Sequence, residues 1–330
     1  MSTRRWVMHA VDYLRDPVPV ACDPITGLTS NSRGAAFPRE AGEDRRHILA
    51  VETIFQMAEL DKGLNIDGET LTNLRFADDV ALMTSETTEM EENLNKLNAK
   101  SKELGLKMHK GKTKYMTNYV NNQKIYIENE EIEQVKDYKY LGQTTHLKDT
   151  TKEEVACRIR AGWSCFGRNR EIFLDEKMPL SLKRQVFDQC ILPTMTYGCQ
   201  TWSLTKANAQ KMRTAQRAME RKILNIKLKD KITCREIRSK TKIQDVVAFA
   251  KKQKWKWAGH VARYEDNRWT KRITDWQPRE GKRSRGSQMK WWRDDIVQMK
   301  GITWGREARQ RDEWKRGAEG YILQWMDKAS

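Results

Sequence analysis

The 330-residue sequence is poor in several features, and each shortage excludes something. Its six cysteines (Cys22, Cys157, Cys165, Cys190, Cys199, Cys234) include no CxxC pair, which argues against a disulfide-stapled scaffold and against zinc-ligand spacing. Seven prolines and 18 glycines without a Gly-X-Y period rule out a collagen-like chain. No stretch approaches the ~20 consecutive apolar residues that cross a bilayer. The opening MSTRRWVMHAVDYLRDPVPVACDP carries an Arg pair but no uninterrupted apolar run of the kind a secretory signal needs. The expectation is a protein with reduced thiols, without a membrane partner, working in the nucleus or the cytoplasm. Acidic residues are also in short supply: 45 Asp and Glu face 62 Lys and Arg, giving a formal charge of +17 and a pI near 9.6. A balance of that sign favours a polyanionic partner, because neutralised phosphates release condensed counterions, so nucleic acid comes first.

What is present is enough for a core. Hydrophobic residues make up 38%, and the length suits about two domains. Residues 1–47 mix Pro, Gly, Arg and Ser with little periodicity and read as a low-order, atypical segment. From Ile48 an apolar spacing predicts a helix ending near Gly63. Asp67-Gly68 signals a turn, and Leu74, Phe76, Val80 and Leu82 flank Asp78-Asp79, which predicts a hairpin with the acids at its tip. Met90, Leu94, Leu97, Ser101 and Leu104 repeat at four-three-four-three spacing before Gly105, predicting the plainest helix of the chain. Short strands are expected at 106–109, 114–119, 124–127 and 132–135. Residues 48–145 therefore read as an α+β half-domain.

The rest reads as helical. Val155, Ile159, Trp163 and Phe166 mark one helix, Leu182 to Ile191 before Pro193 a second, Ala209 to Ile223 a third, and a fourth starts near Gln244-Asp245. Residues 146–263 form a candidate helical domain. Beyond it, 264–330 reads as a basic, Trp-rich linker followed by a helix from about Trp304 to Trp325.

The sharpest motif is Phe76-Ala77-Asp78-Asp79. Adjacent carboxylates on a tight turn supply hard oxygen ligands suited to Mg²⁺ or Mn²⁺, and nucleotidyl transfer uses two such ions to activate a hydroxyl and steady the leaving pyrophosphate. A solvated Asp-Asp turn is the plainer alternative. With the motifs that follow, the run LNIDGETLTNLRFADDVALMTSETTEMEENLNKLNAKSKELGLKMHKGKTKYM resembles the palm of reverse transcriptases from non-LTR (LINE-type) retrotransposons. The elements occur in that family's order: the FADD hairpin, a helix, Gly105-Leu106-Lys107 with Lys112-Thr113, then Tyr140-Leu141-Gly142. The helical half is similar to the family's thumb and C-terminal region through LPTMTYGCQTW, WKWAGHVARYEDNRW and PREGKRSRGSQMKWWRDDI.

The resemblance implies an α+β partial palm followed by a mainly α-helical thumb and C-terminal region. It implies RNA template, DNA primer and deoxynucleoside triphosphates as partners, and Mg²⁺ or Mn²⁺ as cofactor. Asp78 then matches the metal-binding aspartate and Asp79 its partner, Phe76 a position beside the primer end, and Lys112 a lysine near the incoming triphosphate. Tyr140, Leu141 and Gly142 match the primer grip. Lys112 also reads as a solvated lysine among Lys107, Lys110 and Lys114, and Tyr140 to Gly142 as strand core.

Two family features are not legible. Where a QGxxxSP segment belongs, the chain reads RGAAFPREAGED, and no strand bearing a further metal-binding aspartate is apparent; Asp12 in AVDYLRD imitates it but stands too near the hairpin. The expectation is a truncated RNA-directed DNA polymerase that is inactive alone. A rival reading is a non-catalytic nucleic-acid-binding protein. That reading uses Arg279, Lys282, Arg283 and Arg285 for phosphates and the C-terminal tryptophans for base stacking, although Trp255, Trp304, Trp314 and Trp325 also suit a small helical core.

Overall fold

The computed structural model describes residues 7–11, 40–77, 79–118, 123–146, 150–266, 268–276 and 291–326, with side chains described from Leu49 onward. It divides into two compact units, one ending at Gly142 and the other beginning at Gln143.

The first unit is built on a five-stranded sheet. In chain order it contains β1 (Val7–Val11), α1 (Glu40–Ala58), β2 (Leu64–Ile66), β3 (Glu69–Leu71), β4 (Asn73–Phe76), β5 (Asp79–Thr84) and α2 (Thr87–Glu103). Then come β6 (Lys114–Thr117), β7 (Tyr126–Ile127), β8 (Glu130–Glu131), β9 (Glu133–Gln134) and β10 (Asp137–Tyr140). The sheet order is β4-β5-β1-β6-β9, so β1 lies centrally, antiparallel to both β5 and β6. Strand, helix, hairpin, helix and strand in that order make a split βαβ arrangement. The composition of residues 1–47 announced no such strand. VMHAV is only five residues long and its pairing partners are distant in sequence, so no local pattern marks it.

Both helices cover this sheet with apolar side chains. Val51, Ile54, Phe55 and Ala58 from α1 join Met90, Leu94 and Leu97 from α2 and Val80, Leu82 and Tyr115 from the strands in one buried cluster. The α2 stripe predicted from spacing is buried as far as Ser101, while Leu104 is the C-cap residue and is exposed. Gly105, at φ +74°, ends the helix with a Schellman pair: its N–H donates to Lys102 O and the Leu106 N–H to Ser101 O. The Asp67-Gly68 turn joins β2 to β3 as expected, with both residues at positive φ. Residues 106–109 form no strand, a difference from the sequence expectation. Met108 makes a single bridge, and from His109 the chain turns, the Lys112 and Thr113 N–H groups donating back to His109 O.

The second unit is almost wholly helical after β11 (Gln143–His146). It contains α3 (Thr150–Arg168), α4 (Arg170–Leu174), α5 (Leu180–Val186), a π-helical turn Phe187–Ile191 and α6 (Leu192–Thr196). These are followed by α7 (Lys206–Ile223), α8 (Cys234–Thr241), α9 (Val246–Ala262) and α10 (Trp269–Asp275). The unit ends in α11 (Asp294–Lys300), α12 (Trp304–Glu307), α13 (Arg311–Arg316) and α14 (Ala318–Leu323). Pro193 does not stop the helix where the sequence suggested. The π turn precedes it, so the proline falls in the first turn of α6, where no N–H is needed. The single helix expected over 304–325 is broken into three short ones, and α10 lies within the segment read as linker.

Helices α3, α6, α7 and α9 surround one core that includes Val155, Phe166, Phe187, Met195, Met212 and Met219. On the other side of α9, Trp255 and Ala258 pack with Ile296, Trp304, Ala308, Trp314 and Tyr321. Trp255 and Trp314 stack with ring centroids 3.8 Å apart, and each indole N–H donates to the other's carbonyl, at 2.7 and 2.8 Å. Gly259 makes room for that stack: a Cβ there would sit 2.6 Å from Trp314 Cδ1. Below the stack, Asp295 receives Lys251 Nζ at 2.6 Å, Lys254 Nζ at 2.9 Å and the Tyr321 hydroxyl at 2.7 Å, all buried.

Candidate functional site

The hairpin expected at the acidic pair is present. β4 and β5 pair antiparallel with Phe76 opposite Asp79, which leaves Ala77 and residue 78 as the two-residue tip. Ala77 sits at φ +53°, a left-handed conformation that costs an L side chain energy and matches the primed turns of tight hairpins. Asp78 lies outside the described residues. Phe76 is 63% exposed and Asp79 is half-buried. A large aromatic ring held in solvent beside a carboxylate contributes little to this unit's core.

Three strand ends meet at this end of the sheet, because β1 runs antiparallel to both neighbours. Val11, the last residue of β1, pairs with Val80, the residue after Asp79. Ala10 pairs with Lys114, the first residue of β6, and Lys112 is two residues before it. The GLK…KT segment and the FADD tip, about 30 residues apart in sequence, thus lead into neighbouring strand ends. Lys112 is exposed. Its neighbours are engaged in ion pairs: Lys110 lies 3.0 Å from Glu130 and 3.4 Å from Glu128, and Lys114 pairs with Glu133. The hydrogen bond to Glu130 is the main reason the Lys110 ammonium is held above its ordinary range.

Tyr140 joins the same region. Burial, and then the negative charge of Asp79, push its phenol above the usual tyrosine range, which places the two side chains within electrostatic reach of each other. Leu141 at φ +48° and Gly142 at φ +75° follow as a tight turn, and the leucine side chain is 38% exposed. Among the described residues, no group of three or more His, Cys, Asp or Glu side chains is assembled to hold a metal ion. Asp79 is the hard oxygen donor described here, at a solvent-reached strand end. That donor chemistry fits Mg²⁺ or Mn²⁺ and would not suit a softer metal.

The basic segment Arg279, Lys282, Arg283 and Arg285 lies outside the described residues, as does Asp12. Three of the C-terminal tryptophans are a correction to the base-stacking reading. Trp255, Trp304 and Trp314 are between 1% and 4% exposed, with their faces taken up by one another and by Tyr321. Trp325 has Lys251 Nζ 3.4 Å from its ring centroid. These rings follow the plainer helical-core reading, since an indole surrounded by apolar side chains has no face left for a base. No helix among the described residues is long and apolar enough to cross a membrane.

Comparison with known proteins gives two similarities. Residues 48–145 match the family described as reverse transcriptase (RNA-dependent DNA polymerase). The transposon-derived protein F52C9.6 of Caenorhabditis elegans is 32% identical over 274 residues, covering 76% of this chain and 96% of the nematode protein. The chain therefore belongs to the same transposon-derived family as that nematode protein, and it carries a reverse transcriptase domain.

Proposed function

We propose that the chain derives from the polymerase of a non-LTR, LINE-type retrotransposon and that the sheet end bearing Asp79 is its nucleotidyl-transfer site. The convergence of the FADD tip, the end of β1 and the start of β6 carries this reading. Asp78 and Asp79 are its metal ligands, and Mg²⁺ or Mn²⁺ held there supplies Lewis-acid activation of the primer hydroxyl and charge neutralisation at the departing pyrophosphate. Phe76 lies against the primer end, Lys112 faces the triphosphate, and Tyr140, Leu141 and Gly142 grip the primer strand. RNA template, DNA primer and deoxynucleoside triphosphates are the partners, inside the nucleus or cytoplasm.

These 330 residues alone do not polymerise in this reading, because RGAAFPREAGED stands where the nucleotide-pocket segment belongs and no strand with a further metal-binding aspartate is legible, and catalysis by positioning falls steeply when part of the site is missing. The test pairs two measurements on the purified chain. Mn²⁺ binding followed by electron paramagnetic resonance should weaken at least tenfold in Asp78→Asn and in Asp79→Asn, while primer extension on an RNA template stays at background. Unchanged Mn²⁺ affinity in both variants removes the metal site. Robust extension that depends on Asp79 removes the claim of inactivity.

The second reading, non-catalytic nucleic-acid binding, keeps the support of the +17 charge but loses Trp255, Trp304 and Trp314 as stacking faces, because those three rings are core.

A further inference from the structure

The helical unit holds a cleft of about 600 Å³ between α7 and α8, and six cations line it: Arg213, Arg217, Arg221, Arg235, Arg238 and Lys242. Two buried carboxylates face them. Asp245 uses Oδ1 to cap α9, accepting from the Val247 and Ala248 N–H groups at 3.0 Å each. Its Oδ2 is shared by Arg217 at 3.0 Å, Arg213 at 3.6 Å and Arg238 at 3.9 Å. Glu220 pairs with Arg217. One of these cations is therefore structural: Arg217 is 6% exposed and spans both acids. Arg221, Arg235 and Lys242 have no carboxylate partner among the described residues, and Arg235 and Lys242 are exposed at the cleft mouth. Six guanidinium and ammonium groups against two acids leave a concentrated positive field in a concave site, where field lines focus.

We propose that this cleft is a docking site for the phosphodiester backbone of a nucleic-acid strand, read without regard to sequence. Guanidinium forks suit phosphate oxygens. Arg213, Arg217 and Arg221 recur every fourth residue, about 6 Å apart along α7, so the charge is spread along a line rather than gathered at one point. The lining offers Ile243 and Met326 as its apolar side chains and no aromatic ring, so it has nothing on which a base would stack. A strand is favoured over a small phosphate compound because the six cations line about 600 Å³ of cleft on two helices, and because the whole chain is basic. The spacing of arginines 213, 217 and 221 was the sequence signal, hidden by an overall abundance of Arg. This inference shares only the class of partner with the polymerase reading and uses no residue of the sheet unit.

The test measures binding of the full chain to a fluorescent 20-nucleotide RNA by anisotropy over a range of salt concentrations. Combined Arg235→Gln, Arg238→Gln and Lys242→Gln should weaken binding at least tenfold and lower the slope of log affinity against log salt by about 2, as three phosphate contacts are lost. Lys227→Gln, Lys229→Gln and Lys231→Gln together remove the same charge from exposed positions outside the cleft and should change the slope by less than half as much. Should the triple variant fail to fold because Arg238 supports Asp245, the exposed pair Arg235→Gln and Lys242→Gln should still lower the slope by about 1.5. Binding is read without Mg²⁺ or Mn²⁺, which the polymerase reading requires and this one does not, so failure of the polymerase reading stays separate from failure of this one. Equal losses in cleft and control variants, unchanged binding in the cleft variants, or saturation by tripolyphosphate without competition by RNA would each overturn the proposal.

Discussion

Replacing Asp295 by Asn should cost the helical unit roughly 3–5 kcal/mol, the range for removing one partner from a buried ion pair. The carboxylate holds two lysines whose side chains are only 1% and 2% exposed, together with the Tyr321 hydroxyl. Without its charge, both ammonium groups stay buried against an uncharged amide. The acid titration gives an independent estimate. Burial alone would raise the Asp295 pKa, but the two lysines overcome it and hold the carboxyl down at about 2 against an ordinary 3.8. A difference of nearly two units corresponds to about 2 kcal/mol. Because the folded value is depressed, this stability is fully present above pH ~5 and is lost as the pH falls from about 4 through 2. With a urea slope of about 2 kcal/mol/M, the unfolding midpoint followed by tryptophan fluorescence should drop by about 2 M at pH 7. The gap between parent and variant should narrow as the pH falls from 5 to 2.5. A midpoint shift below about 0.5 M at pH 7, or a gap that does not change with acid, would refute the reasoning. The combination Asp295→Leu, Lys251→Met, Lys254→Met and Tyr321→Phe should recover most of the loss, since apolar groups of similar volume carry no desolvation penalty.

Two further substitutions test local claims. Ala77→Gly relieves a left-handed alanine and should raise the denaturation midpoint of the sheet unit by the equivalent of about 0.5–1 kcal/mol, with hydrogen exchange at Asp79 and Val80 slowing; a loss of stability would show that the turn is unstrained. Gly259→Ala should lower the melting temperature of the helical unit by the equivalent of about 1–3 kcal/mol, because the added methyl meets the Trp314 indole, which is locked by its stack and two hydrogen bonds; an unchanged melting temperature would mean the stack yields freely.

Local signals in the sequence carried much of the fold. The α2 stripe, the Asp67-Gly68 turn, the FADD hairpin and the Asp245 start of α9 all depend on neighbours within a few residues, where spacing and capping chemistry decide. What stayed hidden depends on distant partners. Five residues of β1 gain their place from β5 and β6, and nothing in VMHAV alone distinguishes them. Pro193 read as a stop because a π turn leaves no composition signature. The tryptophans could serve a surface or a core equally well until Trp255 and Trp314 were seen face to face. At the candidate site, residue types suggested the chemistry, but only the register brought Lys112 and Asp79 to a common sheet end.

The central position of β1 also has a cost during synthesis. Val7 to Val11 emerge from the ribosome about 70 residues before their β5 partners and about 100 before β6. Both edges of that strand stay open to stray pairing throughout that interval. At a few to some twenty residues per second, the delay lasts seconds, far longer than hairpin formation between β4 and β5 needs. The nascent chain is therefore most exposed to aggregation before Lys114–Thr117 arrives, and a chaperone that shields extended apolar segments would raise its yield most when supplied during translation.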